Sequence, residues 1–316
     1  MFERYPIPTP FQVGPINAYL AGRTLVDPGP DSEEAWAELL AALEEHDLTP
    51  DDIERVLVTH PPPDHFGSAH RSAERGATVC ASEPCAEIVG DFAGRWEYER
   101  EFFTDFFERN GMSAATAETV TELPEAYLNY APDVDVDVTL AAGDTVTVAG
   151  TELTVDEVTG HALGELTFTY EDDDGDTVCI VGDNVLPDIT PNPFLQPPTE
   201  SGGERPRILP RYNDCLERQR DAGYDRLLPG HREPITDPAN RIQEILDAHE
   251  DRTADVRELL DGPMTAVDLM HGLFENLPVT EQFSGMSEAI GHLDVLEERG
   301  EVECHERGGM IVYERV

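Results

Sequence analysis

The stretch VLVTHPPPDHFGSAH, residues 56–70, places an apolar strand directly before a group of ionisable side chains. The run VLV at 56–58 predicts a buried strand, and His60, Asp64 and His65 follow it closely. Neutral imidazole together with carboxylate suits zinc, iron or manganese, and loops at strand ends commonly carry functional sites. The stretch therefore predicts a metal site at the C-terminal end of a strand.

Three further strand ends carry residues of the same kind. They are His161 in VTGHALGE, Asp183 in VCIVGDN and His231 in LLPGHREP. A single histidine has an ordinary explanation as a capping or core residue. Four strand ends in this order, three of them with an adjacent glycine, are hard to explain by coincidence.

The order of predicted elements indicates an α/β layered fold. Strands at the N-terminus are followed by a helix over residues 32–46 with a Ser32 cap, and strand, helix and strand then alternate. Strict alternation over residues 133–160 predicts a half-exposed antiparallel sheet. Residues 84–131 are interpreted as a helical insertion whose aromatic stripe packs on the sheet, in preference to a substrate lid.

The pattern changes near residue 240. Three predicted helices are followed by a hairpin turning at Gly308-Gly309, an order typical of a winged helix. We therefore expect one domain over residues 1–240, which includes the insertion, and a small winged-helix domain with a leading helix over residues 241–316.

Taken together, the four strand-end motifs resemble the metallo-β-lactamase superfamily, whose pattern is His-x-His-x-Asp-His, then Gly-His, then Asp after a strand, then a final Gly-His. The resemblance covers residues 11–235 and implies an αββα metallo-β-lactamase sandwich that binds one or two Zn²⁺ ions at one edge, with Fe or Mn as alternatives. The implied ligands are His60 and His161 for the first metal, Asp64, His65 and His231 for the second, and Asp183 as the bridging carboxylate.

Two positions depart from this pattern. Pro62 stands where the family has its second histidine, and its side chain offers no donor atom. The second metal position is therefore better supplied than the first. Glu165 stands where related sequences often carry a further histidine that is usually not a ligand. A solvent-facing strand residue is the preferred interpretation of Glu165, with a rearranged carboxylate donor as the alternative.

The resemblance implies a metal-dependent hydrolase in which a metal-bound hydroxide attacks an ester, thioester or phosphodiester. Asp64 or Asp183 would orient the attacking water and collect its proton. The chain contains no G-x-S-x-G nucleophile motif, which agrees with direct attack by water. Two alternatives stay open: a pseudoenzyme whose catalysis was lost with Pro62, and a nuclease or nucleic-acid-binding protein.

Charge bears on the choice of partner. The chain has 66 acidic residues against 21 basic ones, all of them Arg, and a formal net charge of -45. This composition resembles that of proteins from salt-loving archaea. Residues 253–316 carry four Arg against fourteen acids, so the basic face that nucleic-acid binding requires is missing there. We expect a small-molecule substrate, and we interpret the wing as a lid or as the contact of a homodimer.

The remaining composition predicts a cytoplasmic protein. The N-terminal residues lack the basic and apolar regions of a secretory signal, and no apolar run is long enough for a membrane span. Five cysteines at unpatterned spacings argue against a disulfide framework and against a cysteine zinc site. They are expected to be small core residues or inert thiols.

Overall fold

The computed structural model describes residues 1–122, 125–199 and 202–316. The chain forms two compact units, each built from several segments. The first unit contains Met1–Ala93, Pro124–Pro191 and Arg218–Ile242, and the second contains Gly94–Leu123, Asn192–Glu217 and Gln243–Val316.

Two mixed β-sheets form the first unit. The six-stranded sheet has its strands in chain order: β1 (Glu3–Ile7), β2 (Ile16–Ala21), β3 (Thr24–Val26), β4 (Arg55–Leu57), β5 (Thr78–Ala81) and β6 (Val138–Thr139). The five-stranded sheet contains β7 (Thr145–Val148), β8 (Thr151–Val158), β9 (Glu165–Glu171), β10 (Thr177–Gly182) and β11 (Arg226–Pro229), with β11 and β7 at its edges. Parallel pairing runs from β3 to β6 and between β10 and β11, and the other neighbours are antiparallel.

Ten α-helices complete the described part of the chain. They are α1 (Glu33–Glu44), α2 (Pro63–Phe66), α3 (Ala69–Ala73), α4 (Glu83–Gly90), α5 (Phe92–Arg109), α6 (Ala114–Thr121), α7 (Ile208–Arg220), α8 (Pro238–Leu259), α9 (Ala266–Leu273) and α10 (Gln282–Glu298). Ser32 caps α1 as predicted, because its side chain accepts a hydrogen bond from the Ala35 N–H. Short 3-10 turns lie at Pro50–Asp52, Glu125–Tyr130 and Val279–Glu281.

The strand β4 shows why its sequence is apolar at successive positions. Val56 belongs to the core on the helix-covered face of the six-stranded sheet, together with Leu39 of α1. Leu57 belongs to the other core of this unit, which also contains Phe168 of β9. A strand of a parallel sheet buried on both faces reads as a continuous apolar run. Each such side chain contributes about 1.5–3 kcal/mol by burial.

The aromatic stripe of the insertion lies in a helical core of the second unit. Phe103 and Phe107 of α5, one turn apart, cluster with Leu269 of α9 and with Met286 and Ile290 of α10. The expectation that the stripe packs on the sheet is therefore wrong for these two residues. The insertion is helical as predicted over its described part, while residues 123 and 124 lie outside the described residues.

The C-terminal segment ends in a two-stranded hairpin, β12 (Val302–Arg307) and β13 (Met310–Arg315). Gly308 and Gly309 form its turn, and both have the positive φ that a two-residue hairpin loop requires. Tyr313 of β13 also forms an antiparallel bridge with Met264. The helix α8 runs through residue 241, and the domain boundary placed there stays a prediction.

All five cysteines are free thiols. Four are buried and only Cys304 is exposed, which agrees with their expected role as small core residues. Among the described residues, none of the helices combines the length and the apolar character needed to cross a bilayer.

Candidate metal centre

The six predicted site residues meet in the first unit. His60 follows β4, Asp64 and His65 lie on α2, His161 lies between β8 and β9, Asp183 follows β10, and His231 follows β11. Their donor atoms form two groups in which all distances are at most 4.8 Å. One group is His60, His161 and Asp183, and the other is Asp64, His65 and His231.

At the second group, Asp64 and the neighbouring Asp183 of the first group both lie close to the same imidazole nitrogen. His231 Nε2 is 3.3 Å from Asp64 Oδ2 and 3.4 Å from Asp183 Oδ2. His65 Nε2 is 3.6 Å from Asp183 Oδ2. The side chains therefore converge as predicted from the sequence: Asp64, His65, Asp183 and His231. Their role as metal ligands stays a prediction.

The first group converges on the same carboxylate. His161 Nε2 is 3.9 Å from Asp183 Oδ2. The ring centroid of His60 is 5.4 Å from that of His161 and 3.9 Å from that of His65. Asp183 thus faces histidines of both groups, which is the location that a bridging carboxylate requires.

Three of the histidines are held through one ring nitrogen and face inwards with the other. The Nδ1 contacts are His60 with Thr59 Oγ1 (2.8 Å), His65 with Asp27 Oδ2 (2.9 Å) and His231 with the Pro15 carbonyl (2.8 Å). The Nε2 atoms of these histidines are buried and make no hydrogen bond to any described residue. Metal-binding histidines are oriented in this way by a partner on the other nitrogen.

Asp27 is a site residue that sequence reasoning missed. It directly follows β3 with a φ of 50°, and its carboxylate accepts hydrogen bonds from the Thr59 N–H (2.8 Å) and the Thr59 hydroxyl (2.6 Å) as well as contacting His65 Nδ1. In the sequence this position marks only the end of a strand. The parallel pairing of β3 with β4 places Asp27 at the same sheet edge as His60, and this pairing is visible only in the folded structure.

Two glycines leave space for the donors. A Cβ at Gly230 would lie 2.3 Å from Asp183 Oδ1 and 2.7 Å from His65 Cε1. Gly182 has a φ of +54°, and a Cβ there would lie 2.9 Å from Thr59 Oγ1. These contacts explain why glycine precedes both Asp183 and His231.

Pro62 acts through its backbone. It is the N-cap residue of α2, and its carbonyl accepts the His65 N–H at 3.0 Å. Its φ of −59° is the value that the ring imposes. The residue therefore helps to start the turn that carries Asp64 and His65, while its ring supplies no donor atom.

Glu165 is buried, and its interpretation as a solvent-facing residue is wrong. Its side chain is 3% exposed, because β9 is the central strand of its sheet and is covered on both faces at this end. Its Oε2 accepts the His161 N–H at 3.0 Å and a hydrogen bond from Asn184 Nδ2 at 3.1 Å. Burial raises the pKa of Glu165 to about 8.

The surroundings of the site shift the pKa values of its histidines in opposite directions. Burial, and then the neighbouring His65, hold the pKa of His60 well below its usual value. Burial also lowers the pKa of His231, but Asp183 outweighs it and the result is about 9. Burial opposes ionisation of Asp183 as well, yet His231 and His65 hold its pKa well below the usual range. The carboxylates, Asp183 first, also raise the pKa of His65 well above its usual value, although burial opposes this. These directions favour a proton on His65 or His231 rather than on His60, and a metal ion bound here would displace it.

A sandwich of mixed sheets with histidines and carboxylates at its strand ends defines a metallo-hydrolase class of protein. Residues 12–231 match the sequence profile of the metallo-beta-lactamase superfamily, and the chain belongs to this superfamily. It is 29% identical over 314 residues, 97% of this chain and 95% of the relative, to the "Probable metallo-hydrolase YqjP" of Bacillus subtilis (strain 168).

Two solved structures are similar over the whole chain. A metallo-beta-lactamase family protein of Thermus thermophilus has a TM-score of 0.80 at 27% identity, with 100% of this chain and 98% of that protein covered. A beta-lactamase domain protein of Burkholderia ambifaria has a TM-score of 0.82 at 26% identity, with 100% and 92% covered. The similarity thus extends through the C-terminal segment.

Proposed function

We propose that the protein is a metal-dependent hydrolase that cleaves an ester, thioester or phosphodiester of a small molecule. The observation that carries this proposal is the set of three buried imidazole Nε2 atoms around Asp183, none of which hydrogen-bonds to a described residue. The distances of 3.3–3.6 Å from His65 and His231 to the carboxylate oxygens of Asp64 and Asp183 are longer than charge-assisted hydrogen bonds. A divalent cation coordinated by these nitrogen and oxygen atoms would satisfy all of them, so the donor set fits a metal.

The proposed ligands are those of the two donor groups. His60, His161 and Asp183 would hold a first ion, and Asp64, His65 and His231 would hold a second one beside Asp183. Nitrogen and oxygen donors of this kind suit Zn²⁺, with Fe and Mn as alternatives. Because Pro62 supplies no donor, we propose that the second position is filled first.

A metal bound here would polarise the scissile carbonyl or phosphoryl group and lower the pKa of the attacking water towards about 7. The protein's own contribution is orientation and proton acceptance. Asp64 and Asp183 present carboxylate oxygens beside His231 Nε2, and we propose that they orient the water and accept its proton. Asp27 and Thr59 keep His65 and His60 turned inwards during this step.

We also propose that residues 241–316 form a winged-helix domain. The helices α8, α9 and α10 precede a hairpin, and an isolated β-bridge joins Met264 to Tyr313 of that hairpin. Two of its arginines are paired with acids: Arg257 with Glu301, and Arg299 with Glu250. This supports a lid or a homodimer contact over nucleic-acid binding.

The decisive experiment is the metal content per chain, measured by mass spectrometry after dialysis in molar KCl. The wild-type protein should retain at least one equivalent, and His231→Ala should lose it while the exposed-site control His305→Ala keeps it. Hydrolysis of a nitrophenyl ester, a thioester and a phosphodiester, compared in the same buffer, then selects the substrate class. A folded wild-type chain without bound metal before and after incubation with Zn²⁺ would favour the pseudoenzyme.

A further inference from the structure

A single buried carboxylate connects the loops that carry two of the first group's donors. Glu165 Oε2 accepts the backbone N–H of His161 at 3.0 Å. The same oxygen accepts from Asn184 Nδ2 at 3.1 Å, and Asn184 follows Asp183 directly in the chain. The backbone N–H of His161 and the side-chain amide of the residue after Asp183 are therefore tied to one atom.

The start of β9 also contacts the segment that carries the third donor. The Leu166 N–H donates to the Thr59 carbonyl at 2.8 Å, and Thr59 precedes His60. Asn184 is fixed from its other side, because its Oδ1 accepts from Gln219 Nε2 at 2.6 Å. The position of Glu165 is thus defined relative to all three members of the group.

The chemistry of this position argues against simple space filling. Removing a carboxyl group from water is unfavourable unless hydrogen bonds compensate, and an apolar side chain would fill the same space at a lower cost. Glu165 belongs to none of the donor groups found among the described residues. Its contacts are with the N–H groups behind the donors and not with the donor atoms themselves.

We propose that Glu165 is a positioning residue that sets the separation of His161 and Asp183 and thereby the metal affinity of the first position. This inference rests on the proposed metal-binding function. It has particular weight in this chain because Pro62 leaves the first position with three donors. A position with few ligands depends more strongly on how accurately each one is placed.

The test is a Co²⁺ titration of the wild-type protein and its variants in molar KCl, followed by the visible absorption of the bound ion and by competition with a chromophoric chelator. His161→Ala identifies the equivalent that belongs to the first position. Glu165→Ala and Glu165→Asp should weaken that equivalent about 10- to 100-fold, the usual effect of losing an outer-shell partner. Glu165→Gln should keep most of the affinity, because its amide oxygen can accept both hydrogen bonds.

Two further variants keep the test decisive if Glu165→Ala does not fold. Asn184→Ala removes one of the two hydrogen bonds and should weaken the same equivalent by a smaller factor. Glu171→Ala changes an exposed glutamate on the same strand and should leave both equivalents unchanged. Circular dichroism of each variant shows whether it is folded.

The outcomes separate this inference from the proposed function. If Glu165→Gln binds as weakly as Glu165→Ala, the carboxylate acts as a ligand or through its charge, and the positioning role is overturned. The positioning role is also overturned if Glu165→Ala and Asn184→Ala fold and bind Co²⁺ with wild-type affinity. It is overturned as well if the wild-type chain takes up a single equivalent even at millimolar Co²⁺. A wild-type chain that binds no Co²⁺ at all instead removes the proposed function.

Discussion

We propose that an imidazole at the position of Pro62, where the superfamily pattern has a histidine, would complete the first donor group. The structure shows that the residue has a local task, since its carbonyl accepts the His65 N–H at the start of α2. Any residue with the same backbone conformation can supply that carbonyl. A substitution at position 62 can therefore add a donor side chain and still keep the carbonyl that starts α2.

Pro62→His should raise the metal retained after dialysis from about one to about two equivalents per chain, because the weakly binding first group would regain the third imidazole typical of a site with one open position. Esterase or phosphodiesterase activity should rise with it. Mass spectrometry of the folded variant measures the change, and Pro63→His, the same substitution one residue later, is the matched control. Equal metal content in the wild type and Pro62→His would mean that the first position has been reshaped beyond repair.

The convergence of the six candidate donors could be predicted from the sequence motifs, whereas the residues behind them could not. His60, Asp64, His65, His161, Asp183 and His231 each follow a strand, and such motifs are local in the chain. The partners of these donors depend on which strands are neighbours. Asp27 contacts His65, which lies 38 residues later in the chain, and Glu165 accepts a hydrogen bond from Asn184, which lies 19 residues later. The sequence pattern favours a solvent-facing Glu165, because a pattern along one strand does not show that the strand is central in its sheet.

At the level of elements, α8 and α10 of the second unit share a buried polar cluster. His249 Nδ1 contacts Asn213 Oδ1 at 2.7 Å, and the ring centroid of His249 is 6.3 Å from that of His292. Glu288 and Arg252 form an ion pair with an N–O distance of 3.2 Å in the same cluster. Burial, and then His292, lower the pKa of His249 to about 4, although Glu288 opposes this.

This cluster should make the protein less stable in mild acid. An unfolded histidine has a pKa of about 6.5, so the unfolded chain binds a proton more readily than folded His249 does. Stability should therefore fall as pH decreases from about 6.5 to about 4, by up to roughly 3 kcal/mol from this residue. Melting temperatures in molar KCl should show a smaller acid loss for His249→Asn, which removes the titrating ring, than for the wild type. His305→Asn, at an exposed position, should follow the wild type, and identical profiles for all three proteins would contradict the assignment.

The order of elements was readable from the sequence because helical and strand periodicities differ, and the turn at Gly308-Gly309 was fixed by its two glycines. The partner of an apolar face was not readable. The apolar face that carries Phe103 and Phe107 predicts that these side chains are buried, but it does not predict the element that covers them. A sheet could cover this face as well as the helices α9 and α10 do. Tertiary contacts between distant segments decide such cases.

For the molecule as a whole, charge is the dominant property. Arginines take part in ion pairs with acids, such as Arg71 with Asp31 and Arg226 with Asp172, with N–O distances of 2.6 Å in both. Even if every arginine were paired in this way, the chain would keep its formal net charge of -45. Repulsion among the remaining carboxylates opposes a compact chain, and its strength depends on the ions in solution.

We predict that the protein needs high salt to stay folded. At molar salt the Debye length is about 3 Å and the carboxylates are screened from one another, whereas at 0.01 M it is about 30 Å and their repulsion extends across the molecule. Dialysis from molar to millimolar KCl should therefore reduce the helical ellipticity and lower the melting temperature, and the return of KCl should restore both. Sucrose favours compact states without screening charge, so it is the control that should not replace KCl at low ionic strength. Unchanged ellipticity and melting temperature across the salt range would reject this interpretation of the composition. Full rescue by sucrose would also reject it, because it would show that the protein at low salt needs general stabilisation of its folded state rather than charge screening.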